Sequence, residues 1–283
     1  GAVSFVVAWI AVQVLLSRFG RLALDHPNER SLHARPVPRT GGIAVLAGAA
    51  SALAFGAAPL WLPLALALLL AAVSFVDDLR SLPVSIRLSA HILAAAVFVW
   101  YTTTPMAYSQ AVALAIAVAW LTNLYNFMDG SDGLAGGMSM IGFGAYAAAA
   151  ILAGESALGT LCLCIAAASA AFLLFNFHPA RIFLGDVGSI PLGFLAGALG
   201  LAGWRYEAWP LWFPVAVFAP FIADSTLTLA RRFARRERVW QAHRDHYYQR
   251  MVRGTLGHRG TAYVAYVLML ACGGLSLAAL PRP

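Results

Sequence analysis

The chain has no lysine: its 19 basic residues are all arginine. Every fixed cation is therefore a planar, permanently charged fork suited to phosphate and carboxylate. Acids are scarcer still, 12 in 283 residues. Charged residues make up 11% of the chain, against about 25% in a soluble domain. No stretch is long and polar enough for a separate soluble domain. The three cysteines, Cys162, Cys164 and Cys272, all fall inside apolar runs. That placement excludes a disulfide framework and argues against a zinc site.

What fills the chain is hydrocarbon: 61% of residues are hydrophobic and the mean hydropathy is +0.75. A membrane span needs about 20 mostly apolar residues. Ten runs qualify: 2–17, 42–59, 61–77, 88–104, 109–127, 134–153, 157–176, 188–204, 208–229 and 260–280. Gly and Pro punctuate them, and the second and third read as a helical hairpin around Pro59. The expected fold is all-α: one polytopic membrane domain over residues 1–283 with about ten transmembrane helices. The first run is followed, not preceded, by Arg18 and Arg21, which argues against a cleaved signal peptide.

Arginine sets the expected orientation. The loops after the odd-numbered runs carry 17 of the 19 arginines, and only Arg205 and Arg282 fall on the other side. By the positive-inside rule the arginine-rich face is cytoplasmic, and an even number of spans places both termini in the periplasm. Ten of the 12 acids fall on that same face, leaving only Glu155 and Glu207 opposite. A carboxylate beside lipid costs roughly 2.5–3.5 kcal/mol at mid-bilayer and less near the interface. Acids concentrated in this way point to a cation site on the cytoplasmic face.

Three segments carry that chemistry. Asp77-Asp78 closes the third run, and two adjacent carboxylates call for a counter-cation. Arg80 and Arg87 could supply it without a metal. The fifth run ends N-L-Y-N-F-M-D-G-S-D-G-L, so that Asn123, Asn126, Asp129 and Asp132 recur every third residue. On a helix, consecutive members of such a series drift by about 60°, so neighbours share a face. Gly130 and Gly133 are expected to end the helix and turn Asp132 back toward the others. Asn at membrane depth commonly bonds between helices, a structural role that competes with ligand binding for Asn123. The seventh run exits into N-F-H-P-A-R-I-F-L-G-D-V-G-S, with Asp186 between Gly185 and Gly188 at the start of a helix. Such a start favours phosphate, and an Asp there can hold a metal bridging to it. The competing reading makes Ser189 a helix N-cap.

Two longer loops are arginine-rich. In the first, Arg35, Arg39 and Gly41-Gly42 suggest an anion clamp stiffened by proline. In the last, His243, Arg244 and His246 make a poor zinc site, since only Asp245 is nearby as a third ligand, and a better phosphate contact. Bulk arginine there also suits anionic membrane lipids. His26, His33, His91, His178 and His258 carry no expected catalytic role, and His91 is expected to face a neighbouring helix.

Taken together, the Asp-Asp pair, N-x-x-N-x-x-D-G-x-D-G-L and G-D-x-G-S resemble the polyprenyl-phosphate N-acetylhexosamine-1-phosphate transferases, from His26 to Gln249. The stretches P-N-E-R-S-x-H-x-R-P-x-P-R-x-G-G and H-R-D-H-Y-Y-Q-R look like the branch that initiates O-antigen, and the triple-His run of the muramyl-pentapeptide branch is missing. The resemblance implies a bacterial inner-membrane enzyme that passes an N-acetylamino-sugar 1-phosphate from a UDP-sugar to undecaprenyl phosphate, releasing UMP, with Mg²⁺ or Mn²⁺. It implies no nucleic-acid partner and is compatible with a homodimer. On the matching positions Asp186 is the expected principal metal ligand and Asp132 the second. Asp77 is expected to accept a proton from, or orient, the lipid phosphate. Asp78 and Asp129 would shape the electrostatics or contact the nucleotide. Asn123, Asn126, Arg39, His243, Arg244 and His246 are the expected substrate contacts. A transporter with an ion-coupled carboxylate site is the alternative, although transporters tend to place such sites near the midplane, often between repeats. A CDP-alcohol phosphotransferase is a further one, but its aspartates cluster in one element.

Overall fold

At Phe218 the chain departs from the expected helices. In the computed structural model, which describes residues 1–25, 32–33, 35–103, 105–238 and 243–281, the expected span 208–229 is two helices. These are α9 (Trp212–Val217) and α10 (Ala219–Ala234), with Phe218 non-helical between them. Pro220 lies in the first turn of α10, where its missing N–H costs nothing, whereas a continuous helix would have lost a bond there. The second expected span is also interrupted. Its α-helical part, α2, is Gly41–Ala50, followed by 3₁₀ turns at Ser51–Phe55 and Ala58–Leu60. In place of a close hairpin with the third span, α2 packs mainly on α1 (Ala2–Arg18), α7 (Ser156–Asn176) and α8 (Asp186–Arg205).

The fold is an all-α polytopic membrane bundle. Among the described residues seven helices are long and apolar enough to cross a membrane: α3 (Trp61–Arg80, extended by the preceding turn), α4 (Val84–Thr103), α5 (Tyr108–Phe127), α6 (Leu134–Leu152), α7, α8 and α12 (Gly257–Ala278). Ala2–Arg18 and Gly41–Phe55 are shorter apolar helices. Helix α8 is the axis, buried along nearly its whole length and packed by α2, α3, α4, α5 and α6. Its alternation of small residues with Leu and Phe suits close packing in lipid, where van der Waals contact holds helices together. The outer faces of the bundle expose Leu69, Leu93, Ile116, Leu174 and Val267.

One end of the bundle carries the irregular backbone. Strands β1 (Leu24–Asp25) and β2 (Val37–Pro38) pair antiparallel with Leu24 opposite Pro38. The β2 strand then joins the loop between α7 and α8: Phe183 N–H donates to the Pro38 carbonyl at 2.8 Å, and Gly41 and Gly42 N–H donate to Phe183 and Leu184 at 2.9 and 2.8 Å. The short helix α11 (Tyr247–Arg253) lies at this same end, where the Tyr248 hydroxyl donates to the Phe127 carbonyl at 3.0 Å. Expected features within residues 26–31, 34 and 239–242 lie outside the described residues.

Candidate active site: an acidic pocket between three loops

Helix α5 ends at Phe127, and the residues that follow turn back as the sequence spacing requires. Gly133, with φ of 75°, begins α6 and reverses the chain. Asn176 fastens this loop to the next: its Oδ1 accepts from Gly133 N–H at 3.0 Å and its Nδ2 donates to the Ile182 carbonyl at 2.9 Å. The result is a cavity of about 280 Å³ whose lining includes Arg39, Asn126, Asp129, Asp132, Asp186 and His258.

Asp186 is the first residue of α8, preceded by Gly185 at φ 71°. A side chain at Gly185 would meet the Arg39 carbonyl oxygen at 2.1 Å, so glycine is required for the two loops to interlock. Asn126 Nδ2 donates to Asp186 Oδ1 at 2.8 Å and to Ser189 Oγ at 2.9 Å. Ser189 is therefore a buried acceptor inside α8, and the N-cap position belongs to Gly185. Asp129 faces Asp186. Desolvation and then the Asp186 charge raise its carboxyl well above the ordinary carboxylate range, with a Gly185 backbone hydrogen bond opposing.

The two adjacent aspartates of α3 part company. Asp77 Oδ1 accepts from Leu82 N–H at 2.6 Å and its Oδ2 from Arg87 Nη1 at 3.0 Å, which ties off the helix end. Asp78 turns toward Arg39, with Oδ1 3.4 Å from Nε, while Arg39 Nη2 donates to the Asp78 carbonyl at 3.3 Å. The other oxygen of Asp78 is buried without a hydrogen-bond partner among the described residues.

Asp132 sits in a cluster that no local pattern announced. Its Oδ2 accepts from His178 Nδ1 at 2.6 Å and from Ala180 N–H at 3.2 Å, and its Oδ1 lies 3.7 Å from His258 Nδ1. His258 Nε2 is 2.9 Å from the Leu32 carbonyl and must donate to it. Its Nδ1 then accepts, from Ser131 Oγ at 3.0 Å and Asp132 N–H at 3.3 Å. Ligand atoms of Asp132, His178 and His258 all lie within 4.8 Å of one another. The two rings, however, are stacked with only 4° between their planes. One ion cannot lie in both planes, so the arrangement found is a hydrogen-bond cluster. Neither histidine carries an expected catalytic role, and they stand 46 and 126 residues from Asp132.

Other expected contacts lie away from the cavity. Asn123 Nδ2 donates to the Ala119 carbonyl at 2.7 Å, and its Oδ1 is 3.2 Å from His91 Nδ1, which joins α5 to α4. His246 opens α11 with Nδ1 3.1 Å from Asp224 Oδ1. Asp224 also accepts from Tyr247 and Tyr248 N–H at 3.0 and 2.9 Å, so this pair anchors α11 on α10. His243 packs on His246 with ring centres 4.9 Å apart. Arg244 is half-buried in the same segment. The last loop reaches the cavity instead through Gln249, whose Oε1 accepts from His246 N–H at 3.2 Å.

Comparison with known proteins gives the arrangement a context. Residues 60–203 match the family described as glycosyl transferase family 4. The chain is 29% identical over 292 residues to a probable undecaprenyl-phosphate N-acetylglucosaminyl 1-phosphate transferase of Bacillus subtilis (strain 168), covering 94% of this chain and 81% of that protein. It is 38% identical over 89 residues to a phospho-N-acetylmuramoyl-pentapeptide-transferase of Staphylococcus aureus, covering 31% of this chain and 28% of that protein. These similarities give the transporter reading no support.

Proposed function

Because the chain belongs to glycosyl transferase family 4, we propose that it transfers an N-acetylamino-sugar 1-phosphate from a UDP-sugar to undecaprenyl phosphate in the bacterial inner membrane. The products are undecaprenyl-diphospho-sugar and UMP. The step would initiate an O-antigen or a related cell-envelope polysaccharide. The observation that carries the reading is the meeting of Arg39, Asn126, Asp129, Asp132 and Asp186, drawn from separate parts of the chain, around one cavity at one end of a membrane bundle.

In the reaction a lipid-phosphate oxygen bonds to the sugar-bearing phosphorus as the bond from that phosphorus to UMP breaks. The problem is one of charge and alignment between anions. A phosphate monoester has its second pKa near 6, so at neutral pH a general base has little to remove. Positioning is then the main task of the acids near the acceptor. Of the α3 pair, Asp78 beside Arg39 suits that task better, because Asp77 is engaged by Leu82 and Arg87. The Arg39 guanidinium offers a fork to a substrate phosphate.

The pocket fits a divalent cation. Asp129 and Asp186 both line it, and burial and then the Asp186 charge raise the Asp129 carboxyl; Asp78, outside the lining, has a buried oxygen without a hydrogen-bond partner among the described residues. Asp186 would be the principal ligand, with Asp129 or Asp132 second. Mg²⁺, which usually takes one or two carboxylates and the substrate's phosphates, or Mn²⁺, would neutralise charge on the diphosphate. Asn126 fixes which Asp186 oxygen remains available, by occupying the other.

The test is transfer in detergent, with the purified protein, undecaprenyl phosphate and a panel of UDP-sugars, read as UMP released and as lipid product by mass spectrometry. Asp186→Asn should abolish both while keeping the wild-type melting profile. Wild-type metal-dependent turnover by that variant would refute the ligand assignment. Sugar uptake into proteoliposomes without lipid product would refute the transferase.

A further inference from the structure

A second cavity, of about 250 Å³, lies at the junction of α10 and α11. It is lined by Thr228, Arg231, Arg232, Arg235, Asp245 and Arg250, four guanidinium groups against one carboxylate. That carboxylate is spent: Asp245 pairs with Arg232, which also meets Glu237 at 2.8 Å. Among the described residues no acid pairs with Arg231, Arg235 or Arg250. Two of them nevertheless share one aromatic ring. Arg231 lies 5.1 Å and Arg250 5.9 Å from the centre of Tyr247. A ring face draws cations in, but it does not neutralise them. Holding like charges on one ring, beside a third, leaves an uncompensated demand for an anion.

The row along α10 indicates where that anion lies. Ala223, Leu227, Arg231 and Arg235 follow at every fourth position and are all exposed, so they form one ridge. The ridge is apolar at first and becomes basic one turn later, about 6 Å along the axis. Phe233, beside the basic turn, is 75% exposed. This is the order a helix shows where it leaves hydrocarbon and enters the headgroup layer.

We propose that Arg231, Arg235 and Arg250, with Tyr247 as their platform, form a phosphate-binding site separate from the acidic pocket. The shared chemistry is a phosphate group, from the headgroup of an anionic phospholipid or from free phosphate. The proposal does not depend on the transfer reaction, and its readout is binding.

The test uses the full chain purified in mild detergent. Binding is read as the rise in unfolding temperature on adding phosphatidylglycerol, phosphatidylcholine or inorganic phosphate, and as phospholipid retained in native mass spectrometry. Phosphatidylglycerol should stabilise the wild type and phosphatidylcholine should not. Arg231→Gln with Arg250→Gln should weaken phosphatidylglycerol binding about 25-fold, since each arginine near an anionic surface contributes about fivefold. Arg181→Gln, at a different loop, should leave it intact. Protection by inorganic phosphate alone, lost in the double variant, supports the site and assigns it to soluble phosphate. Protection by phosphatidylglycerol alone, also lost, assigns it to the lipid. Equal responses of wild type and double variant, or none in the wild type to any phosphate, overturn the proposal. Should the double variant fail to fold, Arg235→Gln at the exposed helix end serves instead, and an unchanged response in that variant is equally fatal.

Discussion

Asn126 and Asp186, sixty residues apart, are joined by a 2.8 Å hydrogen bond from the Asn126 amide nitrogen to Asp186 Oδ1. The same amide nitrogen reaches Ser189 Oγ, one turn along α8. The end of α5 thereby sets the orientation of the first side chain of α8. An asparagine is well suited here, because it donates to a carboxylate without adding or removing charge.

Asn126→Leu should therefore leave Asp186 in place but unoriented. Removing a partner that orients a ligand typically lowers metal affinity or activity about 10–100-fold. The measurement is UMP release titrated against Mg²⁺, and the expected change is a higher metal requirement. Asn126→Asp should be worse, since it sets a third carboxylate against Asp129 and Asp186. Wild-type titration curves for both would dissociate the hydrogen bond from function.

Gly42 and Gly188 bring the backbones of α2 and α8 close together. A Cβ built on Gly42 would lie 2.2 Å from Gly188 Cα and 2.3 Å from Gly188 N. Those atoms belong to the first turn of α8 and cannot swing aside as a flexible side chain could. Gly42→Ala should cost at least the 1–3 kcal/mol typical of overpacking, roughly, and should displace Asp186 with its helix. Thermal unfolding in detergent measures the loss. Because Gly42 N–H also holds the Leu184 carbonyl, the variant should lose activity even at temperatures where it stays folded.

How much of this was legible before the structure depended on the reach of each cause. The spacing Asn126, Asp129, Asp132 predicts one acidic end for α5, because helix periodicity and the two glycines act within a few residues. The cavity lining includes all three. The partners of Asp132 act across 46 and 126 residues, and nothing near His178 or His258 marks them. His246 shows how a distant partner adds to a local reading. Its place in an arginine-rich loop suggested phosphate, yet its ring is held by Asp224, a buried acid within an apolar run. The expected span over 208–229 also overlooked what Pro220 does to helix continuity.

Asp224 is accordingly predicted to act on the architecture. It accepts the Tyr247 and Tyr248 N–H groups in the first turn of α11, as well as facing His246. Hydrogen bonds to a charged group contribute about 1.5–3 kcal/mol each. Asp224→Ala should destabilise the protein by about 3 kcal/mol or more on that basis. It should also open α11 to trypsin at Arg250 and Arg253. Limited proteolysis followed by mass spectrometry reads this out. Resistance equal to wild type would mean that α11 is held by Tyr248 and its neighbours alone.

His243 supplies a pH-dependent prediction whose sign follows from its surroundings. Burial lowers its pKa from the ordinary 6.5, and the nearby Arg232 and His246 lower it further, against the opposing Asp245 and Glu237. The folded protein thus holds this imidazole neutral where the unfolded chain would accept a proton. Stability from this source is complete above about pH 6.5 and declines as pH falls below it toward the folded value. His243→Asn, which cannot titrate, should therefore lose less stability than wild type between pH 7 and pH 5, roughly the interval spanning the reference histidine pKa. The check is the difference in unfolding temperature between the two proteins across that interval. A difference that stays constant would mean that His243 titrates alike in both states. A wild type that gains on acidification relative to the variant would reverse the sign and point to Asp245 as the dominant neighbour.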